Sequence, residues 1–128
     1  MAGGKVLVVD DEMEFVEVTS IVLQRDGFQV VSANSGEEAR EKAVAEKPDL
    51  IILDVMMETK TAGFETARWL RENEATKDIP IVMLTAVNQE VPWRFGPDDI
   101  WLPVDSFVDK PVTPEKLLEE AHKALSED

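Results

Sequence analysis

The sequence predicts an α/β domain built on an open parallel sheet, and three observations carry that expectation. Strand and helix signals alternate along the chain, with no linker, repeat or low-complexity tract between them. Two short runs, Lys5-Val6-Leu7-Val8-Val9 and Leu50-Ile51-Ile52-Leu53, are continuously apolar rather than alternating, as strands buried on both faces are. Each run ends in acid, Asp10 and Asp11 after the first and Asp54 after the second. An open parallel sheet collects its functional groups at the carboxyl ends of its strands, so these three carboxylates are expected in one place.

In chain order, strand one is Lys5 to Val9. The helix after it carries Phe15, Val18, Thr19, Val22 and Leu23 at helical spacing and stops before Gly27, a residue suited to the position just past a helix end. Strand two is Phe28 to Ala33. Ser35 precedes Glu38 by three residues, a capping-box signature, and Ala39, Ala43 and Val44 supply the inward stripe of the second helix, which Pro48 ends. Strand three is Leu50 to Met56. Gly63 introduces a third helix with Phe64, Ala67, Trp69 and Leu70, ending near Asn73. Strand four is Ile79 to Ala86, with Pro80 at its very beginning because proline cannot donate to a sheet ladder. Phe107 and Val108 mark strand five. Thr113-Pro114-Glu115 then gives an N-cap, a proline at the first helical position and an acid in the first turn, opening a last helix with Leu117, Leu118, Ala121 and Leu125.

Composition narrows the chemistry. The 128 residues suffice for one domain with its own core, so residues 1–128 are read as a single unit needing no disulfide or structural metal. Cysteine is absent and His122 is the one histidine, which argues against a zinc site and excludes a cysteine nucleophile. There is no Gly-rich phosphate loop, no metalloprotease pair of histidines and no base for a serine triad beyond His122. A net charge of −14 opposes contact with a phosphate backbone, so no direct nucleic-acid partner is expected. Much of that excess reads as solvated acidic helix faces. No apolar run is long enough for a signal-peptide core or a membrane span, and a cytoplasmic location without membrane insertion is expected.

The strand-end trio is a different matter. Three carboxylates in one pocket repel each other unless a hard divalent cation with oxygen ligands neutralises them, and Mg²⁺ is the first candidate. Asp10 and Asp11 also suit the start of a helix, where acids are favoured, so they have an ordinary structural reading as well. Asp54 is harder to explain that way, because a carboxylate between two apolar runs is costly without a partner.

Taken jointly, Asp10-Asp11-Glu12 after strand one, Asp54 after strand three, Thr85-Ala86 after strand four and Lys110-Pro111 after strand five resemble the receiver domain of two-component response regulators. The resemblance runs from Lys5 to Leu125. It implies a flavodoxin-like (βα)5 fold with strand order 2-1-3-4-5 and helices on both faces. It implies that Asp54 accepts a phosphoryl group from a histidine kinase or phosphotransfer protein. Asp11 and Asp54 would ligate Mg²⁺ directly, Asp10 through water, and the Met56 backbone carbonyl would add a further oxygen. Lys110 would pair with the acceptor and then with the phosphoryl oxygens. Thr85 would donate its hydroxyl to the acyl phosphate and act as the switch, with Phe107 as the aromatic that rotates inward, a role compatible with being a core phenylalanine. On this resemblance the chain is a phosphoacceptor that assists its own phosphorylation and dephosphorylation, rather than an enzyme acting on other substrates. With no room seen for an output module, it is expected to switch a separate downstream protein, as a monomer or weak homodimer.

The chain departs from the family pattern after the acceptor. Met57-Glu58-Thr59-Lys60-Thr61-Ala62-Gly63 lacks the usual proline and the Asp before glycine and carries one extra residue. Glu58 is a loop acid near the metal site in sequence. A phosphorylation-independent interaction module on the same scaffold is the second functional class, disfavoured by the intact Asp, Thr and Lys set. A phosphatase of the haloacid-dehalogenase type is rejected, because that class needs an acid two residues after the nucleophile and Met56 stands there. Met56 and Val87, apolar at the two positions that flank the attacking water, predict slow self-dephosphorylation. Pro92, Gly96, Pro97 and Pro103 leave no room for a regular helix between Val87 and Ser106, so the family's fourth helix should be lost or cut to one turn near Pro97-Asp98-Asp99-Ile100. Trp93, Phe95, Ile100, Trp101 and Leu102 would then either cover the sheet or form a partner surface.

Overall fold

The computed structural model describes residues 4–54, 62–86, 106–110 and 113–125. Within them the chain runs β1 (Lys5–Val9), α1 (Met13–Arg25), β2 (Gln29–Ala33), α2 (Gly36–Glu46), β3 (Leu50–Asp54), α3 (Ala62–Glu72), β4 (Ile81–Ala86), β5 (Ser106–Lys110) and α4 (Pro114–Leu125). The strands form one parallel sheet in the order β2-β1-β3-β4-β5. This is the expected doubly wound, flavodoxin-like arrangement. The expected loss of a helix after strand four concerns residues 87–105, which lie outside the described residues.

Side chains alternate across the sheet, so each strand feeds two cores. On one face Val6, Val8, Leu50, Ile52, Val82, Leu84 and Val108 pack with Val16 and Leu23 of α1 and Leu117 and Ala121 of α4. On the other, Leu7, Val9, Ile51, Leu53, Ile81 and Met83 pack with Ala39 and Ala43 of α2 and Ala67 and Leu70 of α3. Truncating one of the large members to alanine costs about 2–5 kcal/mol in such surroundings. The alanines of α2 let it lie close on the sheet, and Trp69 packs from the margin with the Arg40 guanidinium 5.8 Å from its ring. No helix among the described residues is long and apolar enough to cross a membrane.

The helix ends follow local chemistry. Gly27 takes φ 97°, a conformation open to glycine at little cost, and closes α1 with its N–H on Gln24 O at 3.0 Å. Ser35 caps α2 by accepting from Glu38 N–H at 3.1 Å. The reciprocal half of the box shifts by one residue, since the Glu38 carboxylate accepts from Asn34 N–H at 2.9 Å. Lys47 leaves α2 in the left-handed region ahead of Pro48. Thr113 caps α4 by accepting from Lys116 N–H at 3.1 Å. His122, on the last turns of α4, lies 2.7 Å from the Asp26 carboxylate and so clips that helix to the end of α1.

Several boundaries and burial assignments differ from expectation. β2 begins at Gln29, because Phe28 still belongs to the helix exit, its N–H bonded to Leu23 O at 3.0 Å. β4 begins at Ile81, one residue past Pro80, whose carbonyl nevertheless accepts from Ile51 N–H at 3.0 Å. In α1 the buried valine is Val16, whereas Val18 is 56 % exposed. In α2, Val44 is 38 % exposed beside the fully buried Ala43. Both valines sit one step off the stripe that the neighbouring apolar residues define, and helical periodicity alone does not choose between adjacent faces.

Candidate functional site

The carboxyl ends of the strands meet at one end of the sheet, and there the acids assemble. β1 stops at Val9, and Asp10 N–H donates to Ala33 O at the end of β2, at 3.1 Å. Asp10 itself is fully buried. One of its carboxylate oxygens, Oδ1, accepts from Glu12 N–H at 2.9 Å, a side-chain-to-backbone turn of the kind aspartate forms two residues on. Glu12 is the N-cap of α1 without a side-chain capping bond of its own. Asp54 is the last residue of β3, buried to 7 % exposure, and Asp11 is exposed. A carboxylate oxygen from each of Asp10, Asp11 and Asp54 lies within 4.8 Å of the others.

The expected cluster therefore forms, from two loop residues and one strand residue. The donor set is all carboxylate oxygen, which suits a hard divalent cation such as Mg²⁺, and among the described residues it includes no soft or imidazole ligand to favour a transition metal. Among the three, Asp10 and Asp54 are buried and Asp11 lies at the surface.

Neighbouring strands bring the remaining candidate residues to the same end. Asp54 is registered with Leu84, the residue before Thr85, while Thr85 pairs with Asp109 and Ala86 with Lys110. Phe107 is registered with Met83, two residues before Thr85. So Thr85 and Lys110 stand at the carboxyl ends of the two strands beyond Asp54. Their side chains, and that of Phe107, lie outside what the structure describes, as do Met56, Glu58 and Val87. Sequence reading missed two main-chain participants, the Glu12 N–H and the Ala33 carbonyl, which fix Asp10. Such groups carry no residue signature; only the tendency of aspartate to bond the N–H two residues on hints at the first.

The chain is similar to known proteins over most of its length. A family profile for the response regulator receiver domain matches residues 6–122. The chain is 42 % identical over 113 residues to the alkaline phosphatase synthesis transcriptional regulatory protein PhoP of Bacillus subtilis (strain 168), covering 88 % of this chain and 45 % of that protein. It thus spans about half the length of the curated relatives it matches. Among solved structures, it superposes on a putative response regulator from Chloroflexus aurantiacus with a TM-score of 0.83 and 29 % identity, covering 96 % of this chain and 98 % of the other. The chemotaxis response regulator CheY4 of Vibrio cholerae gives 0.79 at 32 % identity, over 95 % and 98 %.

Proposed function

The chain belongs to the response regulator receiver domain family, and from that premise we propose that it accepts a phosphoryl group on Asp54 from a histidine kinase or phosphotransfer protein and so switches its affinity for a downstream protein. The observation that carries this reading is the meeting of Asp10, Asp11 and Asp54 carboxylate oxygens within 4.8 Å at the end of the central strand.

In the proposed reaction an Asp54 oxygen attacks the phosphorus of a phosphohistidine. A P–O bond forms, the P–N bond breaks, and the donor imidazole leaves and takes up a proton. Phosphoryl transfer asks a protein mainly for positioning and for stabilisation of charge on the transferring oxygens. Positioning falls to β3, which is paired with β1 as far as Leu53 and with β4 through Asp54 itself, opposite Leu84. Asp11 and Asp54 would hold Mg²⁺ directly and Asp10 through water, with the Met56 carbonyl completing the protein's share. When bound, the ion screens the like charges of the acids and of the incoming phosphoryl group. Lys110, at the end of β5, would supply a positive charge to the phosphoryl oxygens, and Thr85, at the end of β4, a hydroxyl donor. Thr85 and Phe107 would carry the switch, their strands being directly paired.

The test is incubation with acetyl phosphate and Mg²⁺, followed by intact mass measurement. A gain of one phosphoryl group by the wild type and none by Asp54→Ala supports the proposal. No gain by wild type under conditions that load another receiver favours a phosphorylation-independent interaction module instead.

A further inference from the structure

Asp10 and Asp11 are adjacent acids, yet the fold treats them in opposite ways. Asp11 is exposed, whereas Asp10 is fully buried, tied through its N–H to Ala33 O and through Oδ1 to Glu12 N–H. Those two bonds bracket Asp11 on either side along the chain. The Ala33 bond fixes the peptide that enters the turn, and the Glu12 bond fixes the peptide that leaves it. Glu12 makes no side-chain cap of its own, so the Asp10 carboxylate contributes the side-chain bond that shapes the start of α1. Val16 N–H then closes the first helical turn on Glu12 O at 3.1 Å.

We propose that Asp10 is a positioning residue for Asp11: its carboxylate acts as the buried anchor of the turn that presents Asp11 to the cation, a role separate from its negative charge. This rests on the reading of Asp11 and Asp54 as the direct Mg²⁺ ligands. The two roles of Asp10 can be pulled apart because the asparagine side chain keeps an acceptor oxygen at the same place while removing the charge. Alanine removes both. A residue that served the site only through charge would make the two substitutions equivalent, and one that served it only through a bound water would leave the Glu12 amide of the metal-free protein unchanged by either.

The experiment uses the whole chain, ¹⁵N-labelled, as wild type, Asp10→Asn, Asp10→Ala, Asp10→Ser and Asp11→Asn. Two quantities are read by NMR: exchange of the Glu12 amide in metal-free protein, and the Kd for Mg²⁺ from amide shifts during titration. Asp10→Asn is expected to keep the Glu12 amide protected. Asp10→Ala should speed its exchange and weaken Mg²⁺ binding by about a further tenfold beyond Asp10→Asn, the worth of one hydrogen bond of this kind. Asp10→Ser, with a shorter and weaker acceptor for the same turn, should fall between them, and it carries the comparison if the alanine variant does not fold. Equal Mg²⁺ affinities across the substitutions, or a Glu12 amide indifferent to loss of the acceptor, overturns the positioning role. Asp11→Asn reports on the premise separately, since unchanged Mg²⁺ affinity there removes Asp11 from the ligand set whatever Asp10 does.

Discussion

Replacing Asp11 by alanine should make the metal-free protein more stable and the protein in Mg²⁺ no more stable than that. The three carboxylates have oxygens within 4.8 Å of one another, a spacing at which each pair of unit charges repels by about 0.9 kcal/mol in water-like surroundings and about 3.5 kcal/mol at an effective dielectric constant of ~20. Asp11 is exposed, so the lower figure applies to its two pairs. In the unfolded chain Asp54 is far from the other two, and adjacent Asp10 and Asp11 remain partly repelled, so the net relief is about 1–2 kcal/mol. For a domain of this size that corresponds to a rise of roughly 3–8 °C in the thermal midpoint. Raising the salt to 0.5 M brings the screening length down to about 4 Å and should shrink the difference. Wild type should in turn gain about 1.4 kcal/mol from Mg²⁺ at tenfold over its Kd, and Asp11→Ala should gain nothing. Scanning calorimetry with EDTA, then with Mg²⁺, measures both effects. A midpoint that stays level or falls at low salt, or a variant that Mg²⁺ stabilises as much as wild type, would refute the reasoning.

Four other outcomes are expected. Gly4→Ala should cost about 0.5–1.5 kcal/mol in urea titration, because a Cβ there would run into the Asp49 carboxylate and displace the acceptor of Lys5 N–H. Val16→Ala should cost about 1–3 kcal/mol while Val18→Ala changes stability by less than about 0.5, since the first is buried and the second exposed; equal effects would show that the face of α1 is misassigned. Thr76→Val should lose about 1–2 kcal/mol with the buried 2.6 Å bond from its hydroxyl to Leu70 O, and proteolysis between α3 and β4 should accelerate. The acyl phosphate of wild type should decay slowly, and Met56→Asn or Val87→Glu should shorten its lifetime by admitting a positioned water, as followed by intact mass over time.

The sheet was legible because its inner strands β1 and β3 are continuous apolar runs, and Asp54 was legible because a carboxylate at the end of such a run has no ordinary reason to be there. The order of the strands was not; it came from resemblance to a family, since apolar runs do not encode which neighbour they pair with. Burial within the acidic pair was also hidden. Asp10 and Asp11 are chemically identical, and their opposite exposures depend on a bond to Glu12 N–H and one to Ala33 O that only the folded backbone supplies. Val18 and Val44 failed for a related reason: each lies next to a residue that is buried, and an apolar side chain at the margin of a stripe can turn either way. The clasp of Arg71 over the carbonyls of Lys77 and Ile79 has no sequence signature either, because an arginine near a helix end most often stays in solvent.

β3 is hydrogen-bonded to a strand on each side and covered on both faces, and Asp54 is its final residue. Amides in such a strand exchange with solvent only when the whole domain opens. Asp54 is therefore mounted with close to the full free energy of folding, and partial melting at the periphery leaves it in place. A denaturation curve followed at Asp54 should superimpose on the global one, with no range of denaturant in which the domain persists and the end of β3 has come loose.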